Sequence, residues 1–199
     1  IDLSWLNTLS DRDFSAGMAE VIKCGFISDS TILSDLDGIS LSELRQNQAL
    51  VTSLIVRAVQ VKASVVSHDF KESHLRESLN YGHTFGHAVE KFSRYEMRHG
   101  ESVSIGMIFI AELSYARGLI TWEDLALHKS ILSSLELPTR LPSNFSPHDF
   151  DSLKAIMSLD KKSRGSVIRF VTLEEIGKTG RLEDVTEQEL RSAYEKVLS

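Results

Sequence analysis

Apolar residues recur at helical spacing along most of the chain, and the periodic stretches are separated by Gly, Pro, Ser, Asn and Asp. Phe14, Met18, Val21, Ile22 and Gly25 keep to one stripe, which predicts a helix over residues 11–25 with Asp11 as its N-cap. Glu20, Lys23 and Cys24 lie off that stripe. A short helix is expected from 29 or 30 to 36, broken at Asp37-Gly38. Ser40 or Ser42 then caps one long helix to about residue 66. Its second half, LIVRAVQVKASVV, is apolar almost all round and reads as buried. Residues 68–74 form a charged connection.

The most unusual pattern spans residues 76–101. Placed on a helical wheel, Arg76, Asn80, His83 and His87 fall within an arc of roughly 60°. Tyr81, Phe85, Ala88, Val89 and Phe92 occupy the opposite, apolar side. A solvated face would carry Lys and Glu; this one carries groups that bind metals, phosphates and carboxylates. Gly82 and Gly86 sit within the same stretch, where mid-helix glycine costs on the order of 1 kcal/mol. The expectation is that another backbone or a ligand approaches closely there.

A polar turn over residues 93–98 leads to a core-like helix from His99 to about Gly118. Further helices are expected over 122–135, 147–159 and 187–198, with a proline-containing loop over 138–147. Between the last two helices the period changes. Residues 166–172, rich in β-branched and aromatic types, predict a strand; 176–180 a turn; 181–185 a short return strand. The fold class is therefore mainly α with one small β-hairpin near 166–185, in one domain spanning residues 1–199.

At 42% hydrophobic and 25% charged, the 199 residues are ordinary globular protein. A net charge of −6 argues against a nucleic-acid partner, although local cations can still hold a small anion. The single cysteine, Cys24, leaves no disulfide framework and fits a reducing, cytoplasmic setting. No uninterrupted apolar run of about 18 residues occurs, so no membrane span is expected. The chain begins in mid-pattern with Ile1, as a piece of a longer protein would.

The candidate chemistry stays open at this level. His83 and His87, at i and i+4, could share a metal ion, with His99 as a third ligand and Glu20 or Glu72 as a fourth. Glu20 and Lys23 read equally as an exposed i,i+3 ion pair. Lys62 shares an arc with Ile55, Ala58, Val59 and Val66, so its ammonium either snorkels to water or points into a polar site. Asp160-Lys161-Lys162 is either a phosphate-binding turn or a solvated charge run. Neither GxGxxG nor GxxxxGK[ST] occurs.

Taken in order, Glu20-Val-Ile-Lys23, Lys62-Ala-Ser-Val-Val, Asp69-x-x-Glu72, Leu75-Arg76-x-x-Leu79-Asn80-x-Gly82-His83-Thr84-x-Gly86-His87, His99-Gly100-Glu101 and Asp160-Lys161-Lys162 strongly resemble the C-terminal domain of the 3-dehydroquinate synthases. The resemblance covers essentially the whole chain. It departs from the family pattern at Ser10 and His74, where proline and glycine are usual.

The resemblance implies a multi-helical metal- and substrate-binding domain, with an NAD-binding N-terminal domain absent from this chain. It places the Zn2+ (or Co2+) ligands on Glu20, His83 and His99, and moves His87 from ligand to substrate contact near the phosphate. It puts Lys23, Lys62, Glu72, Arg76, Asn80 and one of Lys161 and Lys162, preferably Lys161, around the substrate. Trp5, Leu6, Asn7 and Thr8 would touch NAD. The implied substrate is 3-deoxy-D-arabino-heptulosonate 7-phosphate, converted to 3-dehydroquinate and phosphate on the shikimate route to aromatic amino acids, with NAD reduced and reoxidised in each turnover. A cytoplasmic homodimer is implied for the parent enzyme. Related cyclases of the 2-deoxy-scyllo-inosose and 2-epi-5-epi-valiolone synthase types, whose substrates lack the carboxylate, are the nearest alternatives. A polyol dehydrogenase and an inactive metal-binding fragment stand further off.

Overall fold

The computed structural model describes residues 2–68, 76–159 and 168–198. A 3-10 turn, Leu3–Thr8, leads into α1 (Asp11–Ile27), α2 (Thr31–Leu36), α3 (Leu41–Gln46) and α4 (Gln48–His68). A second 3-10 turn, Arg76–Asn80, precedes α5 (His83–Phe92), α6 (His99–Ala116), α7 (Trp122–Ser134) and α8 (Phe150–Leu159). Strands β1 (Phe170–Glu175) and β2 (Lys178–Leu182) form an antiparallel hairpin, and α9 (Glu187–Val197) closes the chain. The mainly α class with one hairpin holds.

Helix α6 is the axle. Residues 102–114 are all buried, and α1, α5, α7, α9 and β1 pack around it. Two of the three buried serines of α6 bond to carbonyls: Ser104 Oγ donates to Pro138 O and Ser114 Oγ to Ile110 O. Two glycine contacts set how closely the neighbours come. A Cβ on Gly106 would lie 1.9 Å from Gly82 O, and one on Gly100 would lie 1.8 Å from Ala16 O. The expected close approach at Gly82 and Gly86 is therefore real: α6 backbone fills the space where their side chains would be.

Several expectations need correction. Residues 76–92 are not one helix. Gly82, at φ +77°, takes a left-handed conformation that an L side chain resists, and it separates the 3-10 turn from α5. The apolar face survives the break, with Tyr81, Phe85, Ala88 and Val89 buried. The long helix expected from 40 to 66 is two helices, interrupted at Asn47, whose side chain accepts from Leu50 N. The N-cap of α1 is Ser10, accepting from Asp13 N, rather than Asp11. Of the strand expected over 166–172, residues 166–167 lie outside the described residues and β1 runs from Phe170 on to Glu175; residues 178–180, read as turn, belong to β2.

Helix α4 departs most. Its second half is not buried all round: Val56 and Val59 are 48% and 47% exposed. By length and composition alone, 48–67 could cross a membrane, with a mean hydropathy of 1.6. Here Val51, Leu54 and Val61 face the core, and Arg57 pairs with Asp29 at 3.0 Å, which seats the helix on the domain body.

Candidate metal centre

Three helices deliver the site. Met18, Val21 and Ile22 anchor α1 in the core and bring Glu20 to its rim. Gly100 lets the first turn of α6 touch α1 at Ala16, one turn before Glu20, and so sets His99 beside it. Arg12 grips Glu101 with two hydrogen bonds of 2.5 and 2.7 Å and fastens the same junction. Gly82 starts α5 so that His83 is its first residue.

Glu20 Oε1 then lies 3.4 Å from His83 Nε2 and 3.7 Å from His99 Nε2. Hydrogen bonds fix which atoms face inward. His83 Nδ1 lies 3.1 Å from the carbonyl of Tyr81, which can only accept, so Nδ1 carries the proton and Nε2 a lone pair. His99 Nδ1 lies 3.1 Å from Glu90 Oε2, so in the neutral ring Nδ1 carries the proton and Nε2 the lone pair. Burial pushes the His83 imidazole down to about 4, which keeps it neutral. Burial alone would raise the Glu20 carboxyl, but the Lys23 ammonium, 2.7 Å from Oε2, outweighs it and holds the group below its usual range.

Oε1 is buried and has no hydrogen-bond partner. With both imidazoles neutral, three electron pairs converge here, an arrangement that is repulsive unless a cation sits at its centre. Tetrahedral bonds of about 2.1 Å separate ligand atoms by about 3.4 Å, close to the spacings around Oε1. The donors fit a divalent cation that takes nitrogen and oxygen ligands. His87 joins the cluster: one ring nitrogen each from His83, His87 and His99 lie within 4.8 Å of one another. It is the exposed member of α5's pair, on the side away from the core.

Lys23 is not the exposed partner of an ordinary surface pair. Its ammonium is buried, at 3% exposure, and Glu20 is its neighbour on the same helix. Cys24 is buried as well, and burial pushes its thiol up to about 11. Lys62 is exposed one turn after Ala58 on α4, and the Ala58 carbonyl accepts from Cys24 Sγ at 3.8 Å. Arg76 and Asn80 are exposed at the two ends of their 3-10 turn. Glu72, Lys161 and Lys162 lie outside the described residues.

Of the expected NAD contacts, Leu6 and Asn7 line a cavity of about 180 Å³ with Phe14, Arg45, Val51 and Thr52, while Trp5 stands 71% exposed beside it. Thr8 is exposed at the end of the turn, its hydroxyl donating to Trp5 O. Sequence reasoning missed three groups. Lys91 and Thr84 share a cavity of about 210 Å³ with His87, and Lys91 follows His87 at the i+4 spacing that would have flagged it. Glu90 is at i+7 from His83, on the same helix face.

Fold and donors together define a helical domain with a candidate divalent-metal site. The comparisons say which one. The model of the family described as 3-dehydroquinate synthase C-terminal matches residues 17–163, and the chain belongs to that family. It is 48% identical over 194 residues to the 3-dehydroquinate synthase of Corynebacterium jeikeium, covering 98% of this chain and 51% of that protein. It is 46% identical over 198 residues to that of Paenarthrobacter aurescens, covering 100% and 53%. The chain spans about half the length of the curated relatives it matches. Among solved structures, a 2-epi-5-epi-valiolone synthase from Streptomyces hygroscopicus, with NAD+ and Zn2+ bound, superposes with a TM-score of 0.87 at 29% identity, over 99% of this chain and 54% of that one. A 2-deoxy-scyllo-inosose synthase complexed with carbaglucose-6-phosphate, NAD+ and Co2+ shares the fold, with a TM-score of 0.75 at 23% identity over 94% and 52%.

Proposed function

We propose that this chain is the metal- and substrate-binding part of a 3-dehydroquinate synthase, which converts 3-deoxy-D-arabino-heptulosonate 7-phosphate to 3-dehydroquinate and phosphate. One observation carries the reading: the lone pairs of Glu20, His83 and His99 converge in a chain of this family. Glu20, His83 and His99 would hold Zn2+ or Co2+, leaving a position open as catalytic metal sites do. When bound, the cation lowers the pKa of a substrate hydroxyl and NAD+ supplies a reversible hydride acceptor.

The chain's own residues position and charge the site. Lys23 fixes Oε2 of Glu20, so that Oε1 is the ligand atom. His87, with Lys91 and Thr84 around the neighbouring cavity, suits the substrate phosphate, and Asn80 adds a donor. Arg76 and Lys62 suit the carboxylate. Glu72 and Lys161 complete the proposed set. Substrate held in this way is oriented for loss of its own phosphate, which can itself accept the departing proton. The 3-10 turn carrying Trp5, Leu6, Asn7 and Thr8 offers one wall for NAD. A nucleotide-binding domain would supply the other and cover exposed Trp5, Val56 and Val59. A cytoplasmic homodimer is the proposed assembly.

The carboxylate decides between this reading and the sister cyclases, and the curated relatives at 46–48% identity carry the synthase name. The test supplies the full-length enzyme with 3-deoxy-D-arabino-heptulosonate 7-phosphate, Zn2+ and catalytic NAD+, and follows phosphate. Release that stops on chelation or without NAD+, with 3-dehydroquinate formed, is expected. Turnover of glucose 6-phosphate or sedoheptulose 7-phosphate instead would overturn the substrate while keeping the site.

A further inference from the structure

We propose that Glu90 is a positioning residue for the metal centre: its carboxylate aims His99 by accepting the Nδ1 proton and strengthens Nε2 as a donor. The inference rests on the metal site proposed above. Glu90 Oε2 stands 3.1 Å from His99 Nδ1, and the Glu90 side chain is largely buried, at 19% exposure. His99 itself is 45% exposed, so packing alone does not hold its ring. The bond to Glu90 does so, leaving Nε2 turned to Glu20.

The two histidines are oriented unequally. His83 leans on a neutral peptide carbonyl, that of Tyr81. Tyr81 is in turn locked by its hydroxyl, 2.8 Å from His128 Nε2, and His128 stacks on Phe26 with ring centroids 3.6 Å apart. His99 leans on a charged acceptor, which raises the basicity of the opposite nitrogen more than a carbonyl does. Geometry makes the arrangement rigid. His83 and Glu90 are two turns apart on one face of α5, so one helix carries both a ligand and the group that aims the ligand from α6. The Gly82–Gly106 contact fixes the spacing of those helices. The competing account is an ion-pair ladder, in which a protonated His99 bridges Glu20 and Glu90 and no metal is involved.

The test is Co2+ binding to the full chain, measured by competition with a chromogenic chelator and by the ligand-field spectrum at saturation. Glu90→Ala is expected to raise the dissociation constant by about 10–100-fold, with the saturated spectrum unchanged because the ligands are. Glu90→Gln, which keeps the size and an accepting oxygen, is expected to recover part of that loss. Metal-free wild type and variants should unfold at the same urea concentration within error. Wild-type affinity in both variants overturns the inference and leaves the metal site standing. A changed saturated spectrum makes Glu90 a ligand and overturns it too. Wild type that fails to bind Co2+ overturns the inference and the metal site together.

Discussion

Lys23 Nζ lies 2.7 Å from Glu20 Oε2, and the two ends of this pair live in different surroundings: the ammonium is buried, the carboxylate side chain 44% exposed. An ammonium without its counter-ion is costly in such a place. Glu20→Gln should therefore destabilise the metal-free protein, by about 1–2 kcal/mol once solvent access to the carboxylate is discounted. Adding Lys23→Met should return most of that. Urea denaturation of the two variants in chelator checks it; a double variant no more stable than Glu20→Gln would show that the pair does not hold the ammonium in place.

The α5–α6 crossing is a backbone contact and tolerates no side chain at its centre. Gly106→Ala would force a methyl against Gly82 O, which already accepts from Gly86 N at 3.0 Å. We expect a loss of about 3 kcal/mol or more, together with weaker metal binding, because the same crossing sets the His83–His99 spacing. Gly118→Ala is the contrast. Gly118 has φ +67° and open space around it, so only backbone strain of about 1 kcal/mol is expected. Equal losses in a denaturation series would contradict the steric account.

Stability should fall on acidification, and His128 should be a main cause. It is wholly buried, its Nδ1 lies 2.7 Å from the Asp124 carbonyl, and burial pushes the imidazole down to about 4. An unfolded histidine titrates near 6.5. Between pH 6.5 and 4 the unfolded chain therefore binds the extra proton, and stability drops as pH falls through that window, by on the order of 3 kcal/mol. His83, also pushed down to about 4, adds a slope of the same sign. His128→Gln, still able to accept from Tyr81, should be less stable at pH 7 but flatter from 6.5 to 4. An unchanged slope in urea midpoints against pH would remove His128 from the explanation.

The sequence carried α9 cleanly, because its apolar stripe packs on α6 and burial on one side leaves a clear 3.6-residue period. Where a helix is packed on more than one side, the sequence made the helix legible but not its buried residues. Lys23 and Cys24 sit off the α1 stripe yet are buried, since α4 and α6 both pack against α1. It read α4 the other way, because valines that would suit a core are exposed here. The hinge at Gly82 is a matter of φ, which periodicity does not report. At the site, His83 and His87 were visible as a pair. The approach of Glu20 and His99 comes from helix crossings between distant segments; residue type made them further candidates beside the pair, and the family pattern put them in place of His87. Glu90 was overlooked because a glutamate on a helix reads as a solvated charge.

The central claim is that Glu20, His83 and His99 hold the metal and His87 does not. The most direct measurement is equilibrium Zn2+ affinity of His99→Ala and His87→Ala, side by side with wild type and with phosphate release. The account predicts that His99→Ala loses tight Zn2+ binding, while His87→Ala keeps it and loses turnover. If His87→Ala loses the metal and His99→Ala retains it, the centre is built on the i,i+4 histidine pair of α5 and the assignment is wrong.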